Sequence, residues 1–259
     1  MTPSSGDRAV QDEVIRALAD APYRASAAWQ RRHLADPDRV ERYARFLARH
    51  FYYERLVQFF KYSRALARIT GRRPEAVLHQ EGFDALLPMM VLGDRETARS
   101  VARQAVAYIA PGAALVPFLP DLLRYEEAMM VAEAGPRLWR ETGQQTEASG
   151  QGVTPMTVEG TVLLTLDYDL PVVLGRLLEP WTEPPQPPAR PTRLLVARSP
   201  QGRVAVARSD AAVAAVVGFA DGTRTLAQLA AETGLPLPDL EAAVRGLVDL
   251  GAVRFSTGS

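Results

Sequence analysis

Three histidines, His33, His50 and His79, are the side chains best suited to nucleophilic, acid–base or metal chemistry, and the chain has no cysteine. No two of them lie three or four residues apart, the spacing that sets two ligands on one helix face. A metal site would need His and carboxylates gathered from distant segments. The acidic cluster that bears weighing is Asp121, Glu126, Glu127 and Glu133. Asp121 follows Pro120 in a first helical turn, where negative charge complements the helix dipole. Glu126 and Glu127 fall on neighbouring faces beside Arg124, so this cluster reads as solvated helix charge. There is no Gly-rich phosphate loop, no G-x-S-x-G elbow and no H-E-x-x-H. The residues therefore predict no catalytic group, no metal ligand and no cofactor in this chain.

Composition narrows the partners. The absence of cysteine excludes disulfides, thiolate metal sites and a Cys nucleophile. A net charge of zero argues against a polyanion-seeking protein. No uncharged run approaches the roughly eighteen residues of a membrane span. No basic-apolar-small signal opens the sequence, so a cytoplasmic location and no membrane partner are expected. At 259 residues the chain can build two domains.

Residues 7–140 carry helical periodicity nearly throughout. Val10, Val14, Ala17 and Leu18 fall on one stripe. The run from Pro37 to Thr70, closed by Gly71, is about nine turns long if unbroken, and a break is expected near its aromatic cluster. Within it, RYARFLARHFYYERLVQFFKYSRALAR interleaves arginines with aromatics. On a helix, residues 43, 46, 50, 53, 57 and 60 make one broad face, which amphipathicity assigns to the core without a nucleic acid. Phe51, Tyr52, Phe59 and Tyr62 are surplus to that stripe and are candidates to face a protein partner. Pro74 begins another helix, and further helices span 95–109 and 121–134. Residues 142–154 read as a polar linker. The expected division is 1–150, a helical bundle, and 151–259, a smaller α+β part. The segment 180–191, with six prolines in twelve positions, reads as an extended spacer or a strap over the second domain.

The last third reads as a winged-helix-like module. LLVA from Leu194 and VAVA from Val204 flank Ser-Pro-Gln-Gly at 199–202, a type I turn in a hairpin. Asp210 caps a first helix, Thr225 opens a second that Gly234 stops, and Pro238 with Asp239 start a third that Gly251 ends. Val253 to Phe255 can add a last strand. From Arg193 onward there are seven Arg against six acidic residues, and the third helix holds Glu241 and Asp249 against Arg245. A DNA reader needs a basic face, so a transcription regulator is the alternative and peptide recognition the favoured reading. An edge strand can accept an extended peptide. In the strand 203–208, alternation sends Val204 and Val206 to the core and Arg203, Ala205 and Ala207 outward. Ala243, Arg245 and Val248 on the third helix are candidates to line the peptide groove.

The phrase ARSDAAVAAVVGFADGTRTLAQLAAETGLPLPDLEAAVRGLVDLGAV resembles the peptide-recognition element of ribosomal-peptide biosynthesis, typified by the PQQ peptide chaperone. FYYERLVQFFKYSRALARITGRRPEAVL, VPFLPDLLRYEEAMMVAEA and LLTLDYDLPVVLGRLLEP resemble the partner proteins of multinuclear non-heme iron oxidative enzymes. That resemblance covers most of the chain. It implies a non-catalytic subunit whose C-terminal element binds the leader of a precursor peptide and whose helical domain docks a TIM-barrel iron enzyme. The iron belongs to that enzyme, and the core residue it modifies is often a cysteine.

Overall fold

The computed structural model describes residues 5–32, 36–135 and 154–256. His33, most of the expected linker and the expected boundary near 150 lie outside the described residues. The described chain is mainly helical with a small antiparallel sheet part. It divides into two compact units, Met1–Leu119 and Pro120–Ser259. The helix after Pro120 therefore belongs to the second unit.

The first unit contains α1 (Ser5–Ala19), α2 (Ala21–Ala25), α3 (Ala27–Gln30), α4 (Pro37–Phe59), α5 (Lys61–Ala65), α6 (Ala67–Thr70), α7 (Glu81–Leu86) and α8 (Arg95–Ile109). Asp36 and Asp94 start α4 and α8 by accepting the N3 amides of Arg39 and Thr97. Pro74 opens a 3-10 turn, Pro74–His79, instead of the expected α-helix.

The inward face of α4 differs from the expected one. Its buried residues are Ala44, Ala48, Tyr52, Leu56 and Phe59. Of the stripe that periodicity assigned to the core, Phe60 is buried and Val57 half-buried, but the N-terminal part lies outside: Tyr43, Phe46 and Tyr53 are 52%, 60% and 45% exposed. Ala44 and Ala48 explain the rotation, because small side chains let α1 and α4 approach closely, and the pair is in contact. Of α1's expected stripe, Ala17 is buried whereas Val10 and Val14 are exposed. The expected break falls at Phe60, whose backbone leaves helical geometry (φ −97°, ψ 31°) and whose ring is fully buried.

The second unit contains α9 (Leu119–Glu133), β1 (Thr154–Thr157), β2 (Val162–Leu166), α10 (Leu174–Leu177), β3 (Thr192–Arg198), β4 (Val204–Arg208), α11 (Ala211–Phe219), α12 (Leu226–Thr233), α13 (Leu237–Asp249) and β5 (Val253–Ser256). Antiparallel strands order as β2-β3-β4. The unbroken run Leu194–Ala197 is buried on both faces of the central strand β3, as a non-alternating apolar strand should be. Leu195 and Ala197 join the core formed by α11, α12 and α13, whereas Val196 packs with Ala128 and Ala132 of α9. The sheet thus carries helices on both sides. The last strand, β5, pairs with β1 in a separate two-stranded ladder and not with the hairpin.

Local sequence sets these elements closely. Gly202 N–H donates to the Ser199 carbonyl at 2.8 Å, and Gly202 adopts φ +80°, so a type I turn ends in a glycine bulge. Asp210 caps α11 through the Val213 amide, and Thr225 with Gln228 forms a full capping box on α12. Gly251, at φ +74°, ends the turn after α13, where a Cβ would collide with the Arg198 carbonyl oxygen.

Asp121 and Glu126 are buried, not solvated as their helical positions suggested. One Asp121 oxygen accepts the Asp167 and Tyr168 amides at 2.6 and 2.9 Å, and the other accepts from Arg124 at 2.9 Å. This carboxylate ties the start of α9 to the end of β2. Asp121→Ala leaves both amides without their acceptor, and the expected loss is about 2 kcal/mol. A lowered urea midpoint would record it; an unchanged midpoint would mean that other groups satisfy both amides.

Candidate functional site

The second unit holds an open groove of about 540 Å³ between the hairpin and α13. Ala207 and Arg208 of β4 form one wall. The other comes from Ala242, Ala243 and Gly246 of α13, with Leu195 and Leu247 between them and Ala211 and Val213 at the start of α11. Asp210 and Asp239 also line it. Small residues make the space: a Cβ placed on Gly246 would meet nothing within 4 Å.

Strand β4 borders this groove and, among the described residues, has β3 as its one neighbouring strand, so it is an edge. Its free backbone groups follow from the register. Ser199 N–H donates to the Arg203 carbonyl and Ser209 N–H to the Arg193 carbonyl, with Leu195 opposite Ala207 and Ala197 opposite Ala205. Bonded pairs alternate in an antiparallel ladder. Ala205 and Ala207 therefore bond inward to β3, and Val204, Val206 and Arg208 direct their N–H and C=O groups to the open side.

The end of that edge is held by Asp169, whose side chain is completely buried. Asp169 accepts from Arg208 at 2.6 Å and also pairs with Arg190, while its own amide donates to the Pro188 carbonyl at 3.0 Å. Burial works to raise the Asp169 pKa, but the hydrogen bonds and charges of Arg190 and Arg208 outweigh it and hold the carboxyl below its ordinary value. The proline-rich segment is a strap: Pro185 and Pro187 are buried, and Arg190 fastens its end.

Of the residues singled out from sequence, the groove brings together Ala207 and Ala243. Val204 packs on the α9 side of the sheet. Ala205 is half-buried opposite Ala197, and Arg203 is exposed beside the turn. Val206 is 36% exposed, contrary to its expected burial. Alternation separates the two sets correctly but cannot say which layer each meets when both faces carry helices. Arg245 and Val248 do not line the groove: Arg245 is exposed, and Val248 packs against the three-helix core. Leu240, Val244 and Leu247 are buried, as their three- and four-residue spacing requires, and the flank of the helix that lines the groove is that of Ala242 and Gly246. Asp169 carries no local signal, because its partners Arg190 and Arg208 lie 21 and 39 residues away.

In the first unit, the expected docking residues Tyr52 and Phe59 are buried, at 0% and 7% exposure, which removes them from any partner surface. The Tyr52 ring meets Phe83 edge-on at 6.4 Å. Phe51 and Tyr62 are half-buried, with Arg55 over Phe51 and Lys61 over Tyr62. The exposed aromatics are Tyr43, Phe46 and Tyr53 instead.

Among the described residues no three His, Cys, Asp or Glu side chains converge in a metal-binding group. Also among them, no helix is long and apolar enough to cross a membrane. No protein-family model matches the chain, and no curated protein matches it.

Proposed function

We propose that this protein is a non-catalytic accessory subunit that captures the leader of a ribosomally made precursor peptide and presents its core to a TIM-barrel iron oxidative enzyme. The observation that carries the reading is the open edge of β4 beside an apolar groove. An extended leader adds as a fourth strand, bonding to the outward groups of Val204, Val206 and Arg208. Alternate leader side chains then enter the groove over Ala207, Ala243 and Gly246, and the intervening ones lie over Val206. In this reading the hairpin, the three helices and β5 serve as a winged-helix-like recognition element. The face of α13 argues against the DNA-binding alternative, since exposed Glu241 and Asp249 flank Arg245.

Binding the leader raises the local concentration of the attached core, so a weakly held reactive residue, such as a cysteine, reaches the partner's iron often enough to be processed. The helical unit docks that enzyme. Labelled precursor encoded beside the protein's gene should bind the full chain, and the core segment without its leader should not. Equal affinity for both would overturn leader recognition. A chain starting at Pro120 should keep peptide binding and lose co-purification with the enzyme; retained co-purification would move the docking site out of residues 1–119.

A further inference from the structure

Helix α4 is apolar on two opposite sides. Its core face runs through Ala44, Ala48, Tyr52 and Leu56. At about 100° per residue, Tyr43, Phe46, His50 and Tyr53 fall on the far side, which is exposed. Their rings are ordered along the helix: Tyr43 and Phe46 stack with centroids 6.2 Å apart, and Phe46 and His50 with centroids 6.1 Å apart. A contiguous aromatic stripe of this kind marks an interaction surface. We propose that it is a self-association surface, on which α4 pairs antiparallel with α4 of a second copy of this chain.

Spacing and charge both select that occupant. Steps of three, four and three residues are those of a helix–helix seam, and the order is the same read from either end. An antiparallel copy aligned on the midpoint sets Tyr43 against Tyr53 and Phe46 against His50, so each aromatic meets another in an isologous contact. The arginines beside the seam already have carboxylates in their own chain: Arg42 with Asp36, Arg45 with Glu41 and Arg49 with Asp84. Arg39, exposed one turn before Tyr43, is the remaining positive charge on this side, too little to recruit a phosphate backbone. Two copies of a chain with zero net charge also approach without overall repulsion.

Sedimentation equilibrium of the full chain should show a concentration-dependent dimer. Phe46→Glu should raise its dissociation constant at least about thirty-fold, as for a central interface residue, with the circular dichroism spectrum unchanged. The cysteine-free sequence allows a test of orientation. A mixture of Phe46→Cys and His50→Cys chains should cross-link on oxidation more completely than either variant alone. A monomer at every concentration, or a dimer indifferent to Phe46→Glu, overturns the proposal. So does a monomer in which Phe46 is needed only for binding the iron enzyme, which would assign the stripe to that partner. Faster cross-linking of each single variant by itself would overturn the antiparallel arrangement.

Discussion

Val206→Pro should abolish capture of an extended peptide while the protein remains folded. The Val206 N–H points away from β3, so proline removes no bond of the existing ladder. Proline is tolerated on an edge strand when the missing donor faces outward. An incoming strand loses that donor and meets the pyrrolidine ring where its own backbone must lie. Together these should weaken binding at least about thirty-fold, more than one hydrogen bond contributes by itself. Fluorescence anisotropy with labelled precursor measures the loss, and thermal melting should be nearly unchanged. Ala205→Pro is the informative contrast. Ala205 bonds inward to Ala197, so that substitution breaks the hairpin and should lower stability along with affinity. Unchanged affinity in a folded Val206→Pro protein would move the peptide off β4.

Asp169→Ala should produce the largest stability loss outside the apolar core. It removes the acceptor shared by Arg190 and Arg208, releasing the strap and the end of the edge strand together. Hydrogen bonds to charged groups contribute roughly 1.5–3 kcal/mol each. Both arginine side chains are more than half exposed and regain water when released, so the expected total is about 3 kcal/mol. For a chain of this size that lowers the melting temperature by about 6–12 °C. The effect has a defined pH dependence. The folded Asp169 pKa lies below its ordinary value of 3.8. A depressed carboxyl contributes its full stability above the unfolded pKa and loses it as pH falls through the folded one. The gap between wild type and Asp169→Ala should therefore be complete at neutral pH and shrink below about pH 4. Urea midpoints measured across that range check it, and a gap independent of pH would exclude ionised Asp169 as the source.

Elements whose start and stop depend on near neighbours could be read from the sequence. Asp210, Thr225 with Gln228, Gly234 and the Ser-Pro-Gln-Gly turn all act within four residues, and the structure places helices, caps and hairpin where those signals put them. The apolar run Leu194–Ala197 was legible as a strand of the hairpin, and its burial on both faces emerged with the layers packed against it. Orientation was decided by tertiary structure. Helix α4 has apolar side chains on two sides, so its periodicity admits two core faces, and close packing at Ala44 and Ala48 selects one. Strand β4 alternates, but the sheet carries helices on both sides, and only the stacking of layers assigns Val206 and Ala207. Asp169 is the extreme case. Its role arises from arginines brought to it across the fold, and a pairing over 39 residues leaves no trace in local pattern. Propensity, capping and turn chemistry reach about one helical turn; the groove exists only once long-range packing sets a strand edge beside a helix.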